Sequence, residues 1–176
     1  MFCRKFWALL FTVLYVSVTS ALAQAQELLK DLNSSPLPVV GEFLNPNDPG
    51  QIVLGNPKIL FFRGQDSAHG LELWRSDGST AGTILLKEFR TGSAGSNPRD
   101  FAVLGGEVYF VASTLTDGLE VFKTDGTADG SVLAISLAPA ANSFSSEKLI
   151  TLNNKIIFSA VPEGGTGREP WITDGS

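Results

Sequence analysis

The chain has a single cysteine, Cys3, a single histidine, His69, and a single methionine in 176 residues. Cys3 sits in the first few residues, so no disulfide can staple the remainder, and His and Cys are too scarce for a zinc site built from them. A Ser-His-Asp or Cys-His arrangement rests on His69 alone, and no Gly-x-Ser-x-Gly elbow is present. His69, in the loop before Gly70, reads as a solvated loop residue rather than a base. Positive charge is also short, with 13 Lys and Arg against 18 Asp and Glu. That balance argues against nucleic acid, whose phosphates must be neutralised, and against an anionic membrane surface. After the first 23 residues, no segment keeps apolar positions at helical spacing over three turns.

What is present begins with an export signal. Arg4 and Lys5 precede an apolar run from Phe6 to Val18, and Ala21-Leu22-Ala23 before Gln24 offers small residues for cleavage. Residues 1–23 are read as a signal peptide, with an uncleaved anchor as the alternative. Neither Gln24 nor Gln26 can take a lipid. Cleavage removes Cys3 and two basic residues, and places the protein outside the cytoplasm, secreted, periplasmic or at the cell surface, with no membrane span left. A lead of 24–52 follows, carrying Pro36, Pro38, Pro46 and Pro49. It reads equally as a linker or as a partial unit, because Leu28-Leu29-Lys30-Asp31-Leu32 resembles Leu85-Leu86-Lys87-Glu88-Phe89.

Residues 53–176 are repetitive. Gly70-Leu71-Glu72-Leu73-Trp74-Arg75-Ser76-Asp77-Gly78-Ser79 returns as Gly118-Leu119-Glu120-Val121-Phe122-Lys123-Thr124-Asp125-Gly126-Thr127. It returns again as Gly167-Arg168-Glu169-Pro170-Trp171-Ile172-Thr173-Asp174-Gly175-Ser176. A fixed period of 48 to 49 residues marks a unit repeated in an array. The second copy resolves into four strands: Phe101 to Leu104, the Gly105-Gly106 hairpin signal, Val108 to Val111, Leu119 to Phe122 and Val132 to Leu137. Asn153-Asn154 and Gly55-Asn56 stand at the same hairpin position. The expected fold is therefore all-β, in four-stranded antiparallel units resembling propeller blades, with an incomplete ring. The third copy stops at Ser176, which reads as the front of a longer protein or a truncated frame.

Alternation along the motif puts Glu72 and Trp74 on one side and Leu73 and Arg75 on the other, so Trp74, Phe122 and Trp171 are expected to wedge between neighbouring sheets. Asp77, Asp125 and Asp174 open turns that Gly78, Gly126 and Gly175 complete. Pro170 lacks a ladder donor, which predicts an edge or bulged strand. Glu72, Glu120 and Glu169 recur with these positions as structural determinants.

The motif, with Phe61-Phe62 before it and Gly82-Thr83 after it, resembles the ELWxxDGT repeat found in tandem in large exported bacterial proteins. The resemblance covers 54–176, with Val121, Phe122, Pro170 and Ser131 departing from the pattern. It implies a secreted or surface-exposed protein with propeller-like blades, and brings no activity or catalytic residue.

Chemistry is sparse. Asp77, Asp125 and Asp174 are weak calcium candidates, set against their role as turn caps, since no Asp-x-Asp-x-Asp-Gly run gathers ligands. No other cofactor is expected. Paired acids for glycoside chemistry have no defined separation here. Gly164-Gly165-Thr166-Gly167 lacks the lysine and helix of a phosphate loop. Arg63 and Arg75 stand where the copies differ and are the binding candidates. The leading expectation is a non-catalytic exported repeat module that binds extracellular protein or glycan, in adhesion, and packs against further repeats of its own chain. The alternative is the propeller part of an exported polysaccharide hydrolase or lyase whose catalytic residues lie elsewhere, and a structural spacer is a third reading.

Overall fold

A computed structural model describes residues 51–55, 57–115, 118–136, 148–161 and 167–176. Residues 1–23, read above as a signal peptide, the proline-bearing lead to Gly50 and the Gly164–Thr166 loop lie outside the described residues.

Among those described, the chain forms strands and no helix, in three antiparallel sheets. The first sheet is β1 (Gln51–Leu54), β2 (Ile59–Gly64), β3 (Glu72–Ser76) and β4 (Ile84–Lys87), paired in chain order. The second repeats it with β5 (Arg99–Leu104), β6 (Glu107–Ser113), β7 (Leu119–Thr124) and β8 (Val132–Ile135). The third holds β9 (Ile150–Leu152), β10 (Lys155–Ala160) and β11 (Glu169–Thr173). The hairpin signals do what they promise. Gly105 and Gly106 have φ of 61° and 84°, and Asn153 and Asn154 have 50° and 56°, the paired positive angles that two-residue hairpins of this twist require.

Each sheet is buried on both faces where it has neighbours, which explains why β6 is apolar along nearly its whole length. Phe61, Leu73 and Leu86 of the first sheet pack against Val108, Phe110, Ala112 and Phe122 of the second. On the opposite face of the second sheet, Tyr109, Val111 and Val121 pack against Ile156, Phe158 and Ala160 of the third. The first strands β1, β5 and β9 lie in succession against one another, so the sheets stack in sequence order from that edge. Thr151 Oγ1 donates to the Val103 carbonyl at 2.7 Å across this edge.

The aromatic wedge is realised at Phe122. Its ring lies 5.9 Å from Phe110 and 4.7 Å from Phe89, between the first two sheets. Trp74 is buried on the face of the first sheet that points away from the second, and Trp171 stacks 6.5 Å from Phe158 yet keeps 38% exposure. The intervening Leu73 and Val121 bury on the other face, so both alternating sets of the motif are core. In both complete sheets the register slips at the same point, between Leu73 and Trp74 and between Val121 and Phe122. A shared bulge of this kind bends the fourth strand at the same place in the first two sheets. Pro170 lies in β11, the last strand of the third sheet among the described residues, where it stands opposite Ser159 of β10.

Candidate functional site

The repeated residues converge on two devices, a turn and a clamp. In the turn, Asp77 Oδ1 accepts the Ser79 amide at 2.9 Å and its hydroxyl at 2.7 Å. Asp125 does the same with Thr127 at 2.8 and 2.7 Å, and Asp174 with Ser176 at 3.2 and 2.7 Å. The residue before each Asp adds a hydroxyl that accepts the glycine amide: Ser76 for Gly78, Thr124 for Gly126, Thr173 for Gly175. In the first two copies that hydroxyl also meets Thr83 or Ser131 at 2.7 Å. These bonds hold all three aspartates below their ordinary pKa, with the Ser or Thr hydroxyl the largest cause.

The turn glycine has a second duty that sequence reasoning did not reach. Gly126 has φ 96°, and a Cβ there would lie 3.4 Å from the Phe61 ring of the preceding sheet. Gly175 has φ 89°, and its Cβ would fall 2.6 Å from the Tyr109 hydroxyl oxygen, Tyr109 being the counterpart of Phe61 in the second unit. The second and third Asp-Gly turns therefore seat on the preceding unit, whereas a Cβ at Gly78 in the first would meet nothing within 4 Å.

Arg75 reaches the same place. It extends from β3 and donates Nη1 to the Gly126 carbonyl at 2.7 Å, tying the first unit to the turn of the second. Lys87 makes a parallel tie, donating to the Ser131 carbonyl at 2.6 Å. In the second unit, Lys123 stands where Arg75 does but pairs with Glu107 at 3.0 Å. Arg63, at the end of β2, donates Nη1 to Asn97 Oδ1 at 3.0 Å and so holds the segment that enters β5.

The clamp is Glu72. Its side chain is fully buried at the start of β3, and its oxygens accept the amides of Phe89, Arg90 and Ser96 at 3.1, 3.1 and 2.9 Å, together with the Ser96 hydroxyl. Those donors belong to the crossover between β4 and β5, which carries the chain from one sheet to the next. Burial pushes the Glu72 carboxyl above its ordinary pKa, while the four donors pull the other way. Gly70 and Gly95 meet beneath the same crossover, where a Cβ on Gly70 would lie 2.5 Å from the Gly95 nitrogen. Ser96 then accepts the Ser113 amide at 2.8 Å, passing the clamp on to β6. Glu120 is buried at the same register in the second unit, and Glu169 is exposed in the third.

Two acids were not signalled by spacing. Asp66 caps the β2–β3 loop by accepting the amides of Ala68 and His69 at 2.9 and 2.7 Å, and holds the His69 ring through Nδ1 at 2.8 Å. That hydrogen bond raises the His69 pKa. Asp100 is buried at a register shift in β5 with φ 56°, its Oδ2 lacks a hydrogen bond, and Arg99 Nε stands 3.6 Å away. Burial raises its carboxyl. Asp is a residue type that tolerates positive φ, but no repeated position or turn signal marked this one in the sequence.

Among the described residues, no group of three or more His, Cys, Asp or Glu side chains gathers to hold a metal ion. The aspartates proposed for calcium sit one to a turn, each with Oδ1 engaged by its own hydroxyl partner. No family model, curated protein or solved structure matches the chain. Its own geometry thus carries the functional argument: Asp, Gly, Glu and Arg of the motif each hold one unit to itself or to the next.

Proposed function

We propose that the protein is an exported, non-catalytic repeat module of the ELWxxDGT type, whose sheets are propeller-like blades that present loops to extracellular protein or glycan. The observation that carries this reading is the commitment of the recurring polar residues to the fold, Glu72 in the crossover clamp and Asp77, Asp125 and Asp174 in turn caps. A scaffold fixed in this way leaves the loops between strands to vary, and loops on rigid sheets are where binding surfaces arise. Arg63 is the binding candidate nearest such loops, beside Asn97 and the crossover. Arg75 serves chiefly as the tie to Gly126.

The test has two arms. Export predicts a mature chain that begins at Gln24, read by N-terminal sequencing of secreted material. Binding predicts retention on an extracellular glycan or surface protein that Arg63→Ala weakens, while Arg75→Ala acts through stability. A folded chain that no glycan array or cell-surface preparation retains refutes the binding reading.

A further inference from the structure

Phe62 and Trp74 stand side by side in register on the outward face of the first sheet, and among the described residues no sheet lies against that face. Both are nevertheless buried, at 8% and 4% exposure. Their counterparts one unit later, Phe110 and Phe122, are paired in the same register, and there the cover is Phe61, Leu73 and Leu86 of the first sheet with Phe89 just beyond β4. The Phe89 ring lies 5.5 Å from Phe110 and 4.7 Å from Phe122. The end of one unit thus closes over the aromatic pair of the next.

The lead contains a copy of that end. Leu28-Leu29-Lys30-Asp31-Leu32 matches Leu85-Leu86-Lys87-Glu88-Phe89 position for position, as two apolar residues, a lysine, an acid and a further apolar residue. We propose that residues 28–32 dock on the outward face of the first sheet in the position that β4 takes at the next interface, with Leu29 in the place of Leu86 and Leu32 over Phe62 and Trp74 in the place of Phe89. Lys30 then stands where Lys87 does and donates to the Thr83 carbonyl, as Lys87 donates to that of Ser131. The connection is long enough, since 22 residues lead from Leu32 to Leu54 at the end of β1, against 15 from Phe89 to Leu104 at the end of β5. The first Asp-Gly turn limits the cover to that one segment. A Cβ at Gly126 would meet the Phe61 ring and one at Gly175 the Tyr109 hydroxyl, each carried by the second strand of the preceding sheet, whereas at Gly78 it would meet nothing within 4 Å. A complete sheet stacked in the same manner, from a second copy of the chain or from another protein, would bring its second strand to Gly78. The lead holds a match to the fourth strand and no copy of the motif, so it covers Trp74 and leaves Gly78 open.

Trp74 reports on its own cover. In the purified full chain carrying Trp7→Phe and Trp171→Phe, acrylamide should quench the remaining indole poorly. Leu32→Ala should raise that quenching and lower the melting midpoint by about 5–15 °C, the scale of a truncated core leucine in a domain of this length. Leu32→Phe, which copies Phe89, should leave both readings unchanged, and so should Leu37→Ala elsewhere in the lead. Leu29→Ala, at the place of Leu86, should act as Leu32→Ala does, and it decides the matter if circular dichroism shows that Leu32→Ala has lost its strands. The proposal is overturned if neither alanine at 29 or 32 changes the readings, or if Leu37→Ala changes them as much. It is also overturned if Trp74 becomes more accessible on dilution, because a second molecule would then be its cover.

Discussion

Replacing Glu72 with alanine removes the acceptor for four donors in the crossover at once. Two of them, the amide and hydroxyl of Ser96, belong to a fully buried residue, while Phe89 and Arg90 are half-buried and water can partly replace the carboxylate. A buried donor left without a partner costs about 1–3 kcal/mol, so the two Ser96 groups together put the loss at roughly 2–6 kcal/mol. Release of the carboxylate from a buried site offsets part of this, which places the expectation near the lower half of that range. Against the roughly 5–15 kcal/mol that a domain of this size commands, this is a large fraction. Urea denaturation followed by tryptophan fluorescence should show a lowered midpoint. Limited trypsin digestion should show new cleavage after Arg90, which lies in the released segment. Glu88→Ala, one of the exposed-side carboxylates of the same crossover, is the comparison. If Glu72→Ala costs no more than Glu88→Ala, and Arg90 stays protected, the clamp does not hold the units together.

Arg75→Ala should cost about 1.5–3 kcal/mol, the scale of a hydrogen bond from a charged donor, with Arg75→Lys recovering part of it; thermal melts of both variants decide. Gly70→Ala would drive a Cβ to 2.5 Å from the Gly95 nitrogen and the Ser93 carbonyl oxygen, whereas Gly92→Ala, at φ 87° in open space, meets only an unfavourable backbone angle. Gly92→Ala should destabilise by about 1–3 kcal/mol and Gly70→Ala by more, read by thermal melts, and equal losses would remove the close approach of Gly70 and Gly95 from the account. The turn aspartates have folded pKa values below the ordinary 3.8, so their stabilisation is complete above that value and is lost as pH falls through the folded values. His69 has its pKa raised, so its contribution is complete below 6.5 and fades as pH rises through the folded value. Carbon-13 titration of the Asp carboxyls and proton titration of His69 by NMR check both directions.

Strand positions were legible because residue type and spacing fix them locally. Val108 to Val111 and Leu119 to Phe122 sit inside β6 and β7, and Gly105-Gly106 and Asn153-Asn154 form the hairpins that their tolerance of positive φ permits. The Asx caps were readable for the same reason, since donor and acceptor lie two residues apart. What could not be read were contacts set by packing between units. Nothing in the segment around Ser96 announces that its amide meets Glu72, 24 residues earlier. Arg75 looked variable and therefore available for binding, yet it spans to Gly126, 51 residues away. Asp100 and Asp66 belong to no repeated position, so periodicity passed over them. The wedge was half foreseen: Phe122 fills the gap between sheets as alternation implies, but the equal share taken by Leu73 and Val121 follows only once both faces are seen to be covered.

The crossover clamp bears on the order in which the chain folds. Glu72 finds its last partner only when Ser96 has arrived, so the opening sheet stays unlatched until 24 further residues are in place. Each sheet then becomes the surface on which its successor condenses, and contacts between adjacent segments form before any distant pairing is needed. A chain that emerges amino end first, as every chain does during its synthesis, is suited to such an order, since every step of consolidation draws on what has just appeared.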